Sequence, residues 1–138
     1  MEEIREQLLL GMGFSEKAIS ILDQELNIGK MENESIKAQH QGTCGDIMIL
    51  HLKIEEKKIT NAVYEYIGCA GLQACASAIT EMVKGKLMDE AKTIEVEDII
   101  TYLGGIPLKK YECAEISRDT LRKAIEAWEN EKIEEKKK

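Results

Sequence analysis

Three of the four cysteines in this chain stand at predicted junctions between secondary structure elements, where ligands and reactive groups are commonly found. Cys44 precedes a predicted strand, Cys69 follows a strand at the start of a helix, and Cys113 precedes the last helix. Thiolates bind iron and zinc, and a helix N-terminus lowers the pKa of a nearby thiol. Together with the carboxylate of Asp46, these cysteines predict a metal or iron–sulfur site.

The spacing of the cysteines does not by itself establish such a site, because the sequence holds no CxxC pair. The alternative to a metal site is that these cysteines are ordinary reduced thiols on the surface. Cys75 falls on the apolar stripe of a predicted helix and is interpreted as a buried, inert thiol. His40 and His51 could each approach the site, but a solvated side chain is the favoured interpretation of both.

Elements that must position these residues are predicted from the periodicity of apolar side chains. Alternation from Asp46 to Ile54 predicts a half-buried strand, and Ile59 to Ile67 predicts a second strand that pairs with it as a hairpin. The polar stretch from Asn27 to Gln41 predicts either a further strand or a loop. Small apolar residues from Ala70 to Val83 predict a helix, and a long helix is predicted from about Ser117, as N-cap, to about Lys132.

Strands followed by helices predict an α+β fold. We expect a small antiparallel three-stranded sheet with helices packed on one face and a long C-terminal helix. Residues 1–130 are predicted to form a single domain, and residues 131–138 a charged, disordered tail.

The bulk composition excludes some classes of partner. The net charge of −7 argues against nucleic acid, whose binding depends on Lys and Arg. The chain begins with an acidic segment where a secretory signal would be basic, and the apolar run that follows is too short to span a bilayer. We therefore expect a cytoplasmic protein with reduced thiols and no membrane or nucleic-acid partner.

Several segments of the chain match a known pattern. In chain order they are Thr43-Cys44-Gly45-Asp46, Tyr66-Ile67-Gly68-Cys69-Ala70, Val83-Lys84-Gly85-Lys86, Asp89-Glu90-Ala91, Gly104-Gly105-Ile106-Pro107 and Cys113. With an amphipathic helix after the last cysteine, the sequence resembles the IscU/NifU-type iron–sulfur cluster assembly scaffold family, including the NifU-like N-terminal domain. The resemblance runs from roughly Met12 to Trp128.

This resemblance implies a carrier rather than an enzyme. A cysteine desulfurase would deliver sulfur as persulfide, iron would be added, and a transient [2Fe-2S] cluster would be passed to acceptor or carrier proteins. By position, Cys44, Cys69 and Cys113 would hold the cluster beside Asp46. Cys113 would accept sulfur first, assisted by Lys110. Zinc would also fit three thiolates and a carboxylate, and it is expected in place of iron in some preparations.

The sequence departs from the family pattern at two places. Glu112 stands where the family usually has histidine. Its carboxylate is a candidate metal ligand that would alter cluster lability or strengthen zinc binding, and an ordinary surface carboxylate is the alternative. Only Pro107 remains where the family's chaperone-recognition segment has two prolines, and Lys109 adds charge. Recognition by a dedicated heat-shock ATPase chaperone is therefore doubtful.

Two alternatives to the scaffold remain open. One is a zinc-dependent persulfide acceptor and relay of the SufU type, which usually carries an insertion between its second and third cysteines. The interval from Cys69 to Cys113 shows no obvious insertion, which favours the scaffold, whereas the loss of histidine favours the relay. The other alternative is a structural zinc module, which is disfavoured because the apolar stripes suffice for folding without metal.

Overall fold

The computed structural model describes residues 2–137. It confirms the predicted α+β architecture, in which helices cover one antiparallel sheet of three strands in the order β1-β2-β3. The strands are β1 (Ile36–Gln41), β2 (Ile47–Glu55) and β3 (Lys58–Ile67). The helices are α1 (Glu2–Met12), α2 (Glu16–Gln24), α3 (Ala70–Val83), α4 (Met88–Ala91), α5 (Val96–Leu103) and α6 (Tyr111–Lys137), with a 3₁₀ turn at Leu108–Lys110 before α6.

Buried apolar side chains alternate along β2 and form one side of the core. Met48, Leu50 and Leu52 are fully buried and face α3 and α6, which pack against the sheet. Each such side chain contributes roughly 2 kcal/mol when it is removed from water. Tyr64 of β3 lies opposite Leu50 and is also fully buried. The predicted hairpin of β2 and β3 is therefore confirmed.

The segment before β1 crosses from one edge of the sheet to the other. Ile28 forms a bridge with Tyr64 at the β3 edge, whereas residues 36–41 pair with β2 as strand β1. The crossing covers His51, which is only 3% exposed with its Nε2 atom 2.9 Å from a carboxylate oxygen of Glu65. The prediction of a solvated His51 was wrong, because Glu34 and Glu65 close over the ring.

Small residues let α3 pack closely against α2 and α6. The helix has the predicted bounds, and Leu72 and Ile79 lie in the core. Cys75 is fully buried on the same face, as predicted, and burial raises the pKa of its thiol well above the ordinary value. Gly85 follows the helix in a left-handed conformation, with φ of 83°.

The last helix begins at Tyr111 rather than near Ser117. Ser117 is buried inside the helix, and its hydroxyl donates to the carbonyl oxygen of Cys113 at 2.9 Å. The prediction of an N-cap at Ser117 was wrong, because a serine can satisfy its hydroxyl on the preceding helical turn. The 3₁₀ turn after Pro107 starts the helix instead, so Cys113 lies in its first turn.

The C-terminal segment continues as helix to Lys137, where a disordered tail was predicted over residues 131–138. Lys138 lies outside the described residues. Glu and Lys are good helix formers, and Lys132 pairs with Glu135 at 3.3 Å, so the segment can extend α6 without burying an apolar face. The helix shows no break at residue 130, and a domain boundary there stays a prediction. Within residues 2–137, no helix is both long and apolar enough to cross a bilayer.

Candidate metal centre

Asp46, Cys69 and Cys113 converge at one end of the sheet and are here called the donor group. A carboxylate oxygen of Asp46 and the two Sγ atoms all lie within 4.8 Å of one another. The Sγ atoms are 3.7 Å apart, and Cys69 Sγ is 3.6 Å from Asp46 Oδ2. Three of the four donors named from the sequence are thus brought together.

The two separations that involve Cys69 fit a tetrahedral metal ion. With metal–sulfur bonds of about 2.3 Å and metal–oxygen bonds of about 2.1 Å, a tetrahedron sets two sulfurs about 3.8 Å apart and a sulfur and an oxygen about 3.6 Å apart. In the metal-free protein, Cys69 forms thiol hydrogen bonds with Asp46 and Cys113 at these same distances. The donor group can therefore hold its geometry with protons and exchange them for a metal ion.

Asp46 reaches the group from the start of β2. Its backbone carbonyl accepts from Gly42 N–H at 2.9 Å, which closes the β1–β2 turn. A Cβ atom on Gly68 would lie 2.8 Å from the Asp46 carboxylate and 2.9 Å from a methyl of Leu72. Glycine at 68 is therefore required for the carboxylate to lie against the end of β3.

Cys69 is the N-cap residue of α3, in extended conformation, directly after Gly68. Its backbone carbonyl accepts from Gln73 N–H and so begins the helix. Its side chain is partly buried against the core. The position predicted from the sequence, at the junction of β3 and α3, is the position in the structure.

Cys113 is the most buried member of the donor group, with 4% of its surface exposed. Burial raises the pKa of its thiol to about 12, and Cys69 and Asp46 add to the rise while Lys110 opposes it. The expectation of a lowered pKa was wrong for this residue, because loss of hydration outweighs the helix N-terminus. In the metal-free protein near neutral pH, Cys113 is a protonated thiol.

Lys110 brings a positive charge to the donor group. The Cys69 side chain raises the pKa of this ammonium group, and Cys113 and Asp46 raise it further. A Cβ atom on Gly71 would lie 3.1 Å from the Lys110 side chain and 3.2 Å from Cys113 Sγ. Gly71 thus lets both side chains approach α3.

The roles of Gly68 and Gly71 were missed by the sequence analysis. A glycine inside a helix costs about 1 kcal/mol relative to alanine. Gly71 in the first turn of α3 was therefore a signal of close approach by another part of the chain. Gly68 had been named only as part of the segment around Cys69.

Cys44 lies outside the donor group, on the turn of residues 42–45, which is here called the Cys44 turn. The residue is exposed, and its backbone N–H donates to Glu112 Oε1 at 3.3 Å. The Cys44 turn therefore lies beside the first turn of α6, where it contacts Glu112, the residue before Cys113. His40 and His51 are not members of the donor group.

Glu112 accepts hydrogen bonds from the Cys44 turn. Thr43 Oγ1 donates to Glu112 Oε1 at 2.5 Å, and the Cys44 N–H shares the same oxygen. The Thr43 hydroxyl, together with these backbone contacts, lowers the pKa of the Glu112 carboxyl. Glu112 is not a member of the donor group, so a ligand role for it stays a prediction.

Residues 13–135 match the NifU-like N terminal domain, a known protein family. The chain belongs to this family. Among its relatives, iron–sulfur cluster assembly scaffold protein IscU of Archaeoglobus fulgidus is 33% identical over 113 residues, which cover 81% of this chain and 74% of that protein. IscU of Escherichia coli is 33% identical over 126 residues, covering 88% and 98% of the two chains.

Solved structures share the fold of this NifU-like chain. The N-terminal part of a NifU-like protein from Brucella abortus superposes with a TM-score of 0.68 at 18% identity, covering 84% of this chain and 94% of that one. A protein from Fervidobacterium islandicum, described as a candidate scaffold for the SUF system, gives a TM-score of 0.67 at 22% identity, covering 81% and 96%. These likenesses show the NifU-like fold.

Proposed function

We propose that this NifU-like chain is an iron–sulfur cluster assembly scaffold that carries its cargo rather than an enzyme with a small-molecule substrate. The cargo would be a transient [2Fe-2S] cluster, passed to acceptor or carrier proteins. The observation that carries the proposal is the donor group, with two sulfurs 3.7 Å apart beside a carboxylate. The proposal is supported by curated relatives that are named as such scaffolds.

The donor set suits a cluster that must leave again. Thiolates of Cys44, Cys69 and Cys113 would hold iron, and Asp46 would supply an oxygen donor. An oxygen donor is weaker for iron than a fourth thiolate, so the cargo would be released more readily. Glu112 is a further candidate ligand, in competition with its hydrogen bonds to the Cys44 turn.

Sulfur would arrive from a cysteine desulfurase as persulfide. The Cys113 thiolate would attack the outer sulfur of that persulfide, forming a new sulfur–sulfur bond while the desulfurase cysteine leaves as thiolate. Lys110 would assist by stabilising the negative charge on Cys113 after proton loss. Because Cys113 is only 4% exposed, this step would require the site to open towards the desulfurase.

Partner recognition would use the acidic surface of the chain. With a net charge of −7, the scaffold would associate with a basic surface on the desulfurase, and added salt would slow that association. An affinity that is indifferent to ionic strength would contradict this part of the proposal. We also propose a cytoplasmic location, the compartment in which reduced thiols are maintained.

Anaerobic reconstitution tests the function. The protein would be incubated with ferrous iron, cysteine, a desulfurase and a thiol reductant, which converts persulfide sulfur to sulfide, followed by visible absorption and by iron and sulfide analysis. We expect a labile [2Fe-2S] spectrum that is lost in Cys44→Ser, Cys69→Ser and Cys113→Ser. Absence of iron and sulfide from the wild-type protein under these conditions would refute the scaffold.

A zinc-dependent sulfur relay of the SufU type is the second candidate. One observation favours it, because the Cys69–Cys113 and Cys69–Asp46 separations match those of a tetrahedral zinc site. Against it, the interval between Cys69 and Cys113 contains only α3, α4, α5 and the 3₁₀ turn. Tight stoichiometric zinc that iron cannot displace, together with intact sulfur relay, would favour this candidate over the scaffold.

A further inference from the structure

The Cys44 turn and the first turn of α6 are joined by one carboxylate. Glu112 Oε1 accepts from the Thr43 hydroxyl and from the Cys44 backbone N–H. We propose that Glu112 is a positioning residue, whose carboxylate ties the Cys44 turn to α6 and thereby holds Cys44 beside the donor group. The inference rests on the proposed function only in treating Cys44 as a metal donor.

The rest of the centre has other means of support. Cys69 and Cys113 belong to helices that pack against each other, and Gly71 fixes how closely they approach. The Cys44 turn has less support, because Thr43, Cys44 and Gly45 are all exposed. The side-chain bond from Gln41 to the Gly45 carbonyl stays within the hairpin and does not reach α6.

Packing alone brings the base of the turn to α6. A Cβ atom on Gly42 would lie 2.4 Å from the Cδ1 atom of Ile116 and 3.5 Å from Glu112 Oε1. The turn therefore rests directly on α6 at Gly42, and the Glu112 carboxylate extends that contact to Thr43 and Cys44. A hydrogen bond to a carboxylate is stronger than one between neutral groups, which suits it to an exposed turn.

Positioning and ligation through Oε1 are competing roles for Glu112. To bind a metal ion through Oε1, the carboxylate would have to give up its bonds to Thr43 and Cys44. The two roles also predict different partners. Thr43 matters if Glu112 is a positioning residue, whereas Thr43 is irrelevant if Glu112 is a ligand.

The test begins on metal-free, reduced protein. Hydrogen exchange of the Cys44 amide, measured by NMR, reports directly on the bond to Glu112. We expect Glu112→Ala to accelerate this exchange about tenfold and Glu112→Gln, which keeps an acceptor oxygen, by less than about threefold. Glu115 is exposed and lies about one helical turn after Glu112 on α6. Glu115→Gln is therefore the matched control and should leave the exchange rate of the Cys44 amide unchanged.

Zinc affinity provides the second measurement. We expect Thr43→Val and Glu112→Ala each to weaken zinc binding by about three- to tenfold, and the double variant to be no weaker than Glu112→Ala alone. An unchanged Cys44 exchange rate in Glu112→Ala would overturn the inference. Zinc affinity that falls in Glu112→Ala but is untouched by Thr43→Val would also overturn it, in favour of a ligand.

The two proposals fail separately. If the Cys44 amide responds as expected but no cluster assembles on the wild-type protein, the scaffold function fails and the positioning role stands. Exchange of the Leu50 amide in the buried sheet should stay constant in every variant, which separates a local change at the turn from a loss of the fold.

Discussion

Cys113 and Cys44 are both proposed donors, yet one is 4% exposed in the first turn of α6 and the other is exposed on a turn between two strands. Cys113 is held by packing, with Gly71 leaving room for its sulfur atom. The Cys44 turn is held by hydrogen bonds to the carboxylate of Glu112. Cys113 thus belongs to the core and Cys69 packs against it, whereas the Cys44 turn is attached by polar bonds.

This difference suggests a division of tasks within one centre. Packed donors keep their mutual distances whether or not a metal is bound, because interiors resist deformation. A turn held by polar bonds can move at much lower cost. The donor group is therefore suited to holding cargo, and the Cys44 turn to opening for its delivery and release.

Removing a sulfur from the donor group should have the largest effect. We expect Cys69→Ser and Cys113→Ser to weaken zinc binding by more than about a hundredfold, because each removes a ligand from a site with preset distances. Cys44→Ser should cost only about tenfold. Competition titration with a chromophoric chelator measures all three, and an equal loss in Cys44→Ser would show that the turn is as well placed as the packed cysteines.

Crowding the donor group should have the next largest effect. In Gly68→Ala, the added methyl would lie 2.8 Å from the Asp46 carboxylate, which must move away. We expect zinc affinity to fall about tenfold, and the loss in free energy of unfolding to stay near 1 kcal/mol.

Gly11→Ala is the matched control for Gly68→Ala. Glycine at 11 has open space around its Cβ position and lies on α1, so the same substitution should leave zinc affinity unchanged. Equal zinc affinity in Gly68→Ala and wild type would contradict the close packing of Asp46 against the end of β3.

Zinc binding should release a proton from Cys113. Because the pKa of this thiol is raised to about 12, the metal must displace a proton throughout the neutral range, and affinity should rise about tenfold per pH unit for each proton released. Calorimetry in two buffers of different ionisation enthalpy counts those protons. Zinc binding to Cys113→Ser should release about one proton fewer than binding to the wild type. An unchanged number of released protons would contradict a protonated Cys113 thiol.

The same raised pKa affects folding. The folded protein holds the Cys113 proton more tightly than the unfolded chain, whose thiol has a pKa of about 8.5. The resulting contribution to stability is present below about pH 8.5 and is lost as the pH rises towards the folded-state pKa of about 12. In metal-free protein, alkaline unfolding should therefore shift to higher pH in Cys113→Ser.

Local patterns predicted most of the fold. Alternation predicted β2 and β3, and small apolar residues predicted α3. The start of α6 could not be predicted in the same way. Ser117 has the composition of a cap, and its burial depends on the contact of α6 with the sheet and α3.

The candidate centre was predictable in its residues but not in its environment. The sequence named Asp46, Cys69 and Cys113, which the structure brings together, and also Cys44, which lies outside the donor group. The raised pKa of Cys113 and the burial of His51 arise from residues distant in sequence, which cover them in the folded chain. The hydrogen bonds of Glu112 likewise join positions 43 and 112, and no local pattern contains that information.

Removing residues 131–138 should have the smallest effect, because this end of α6 is remote from the donor group. The truncation removes Lys132, whose ammonium lies 5.5 Å from the Trp128 ring centroid, and the exposed pair that Lys132 forms with Glu135. Exposed contacts of this kind contribute less than about 1 kcal/mol each.

We therefore expect the truncated protein to keep its zinc affinity within about twofold, the scale of exposed contacts, and to unfold in urea at a slightly lower midpoint. A loss of zinc binding as large as that of Cys113→Ser would mean that the last turns of α6 help to position the first turn. The predicted boundary at residue 130 would then be wrong, and the whole of α6 would belong to the unit that holds the donor group.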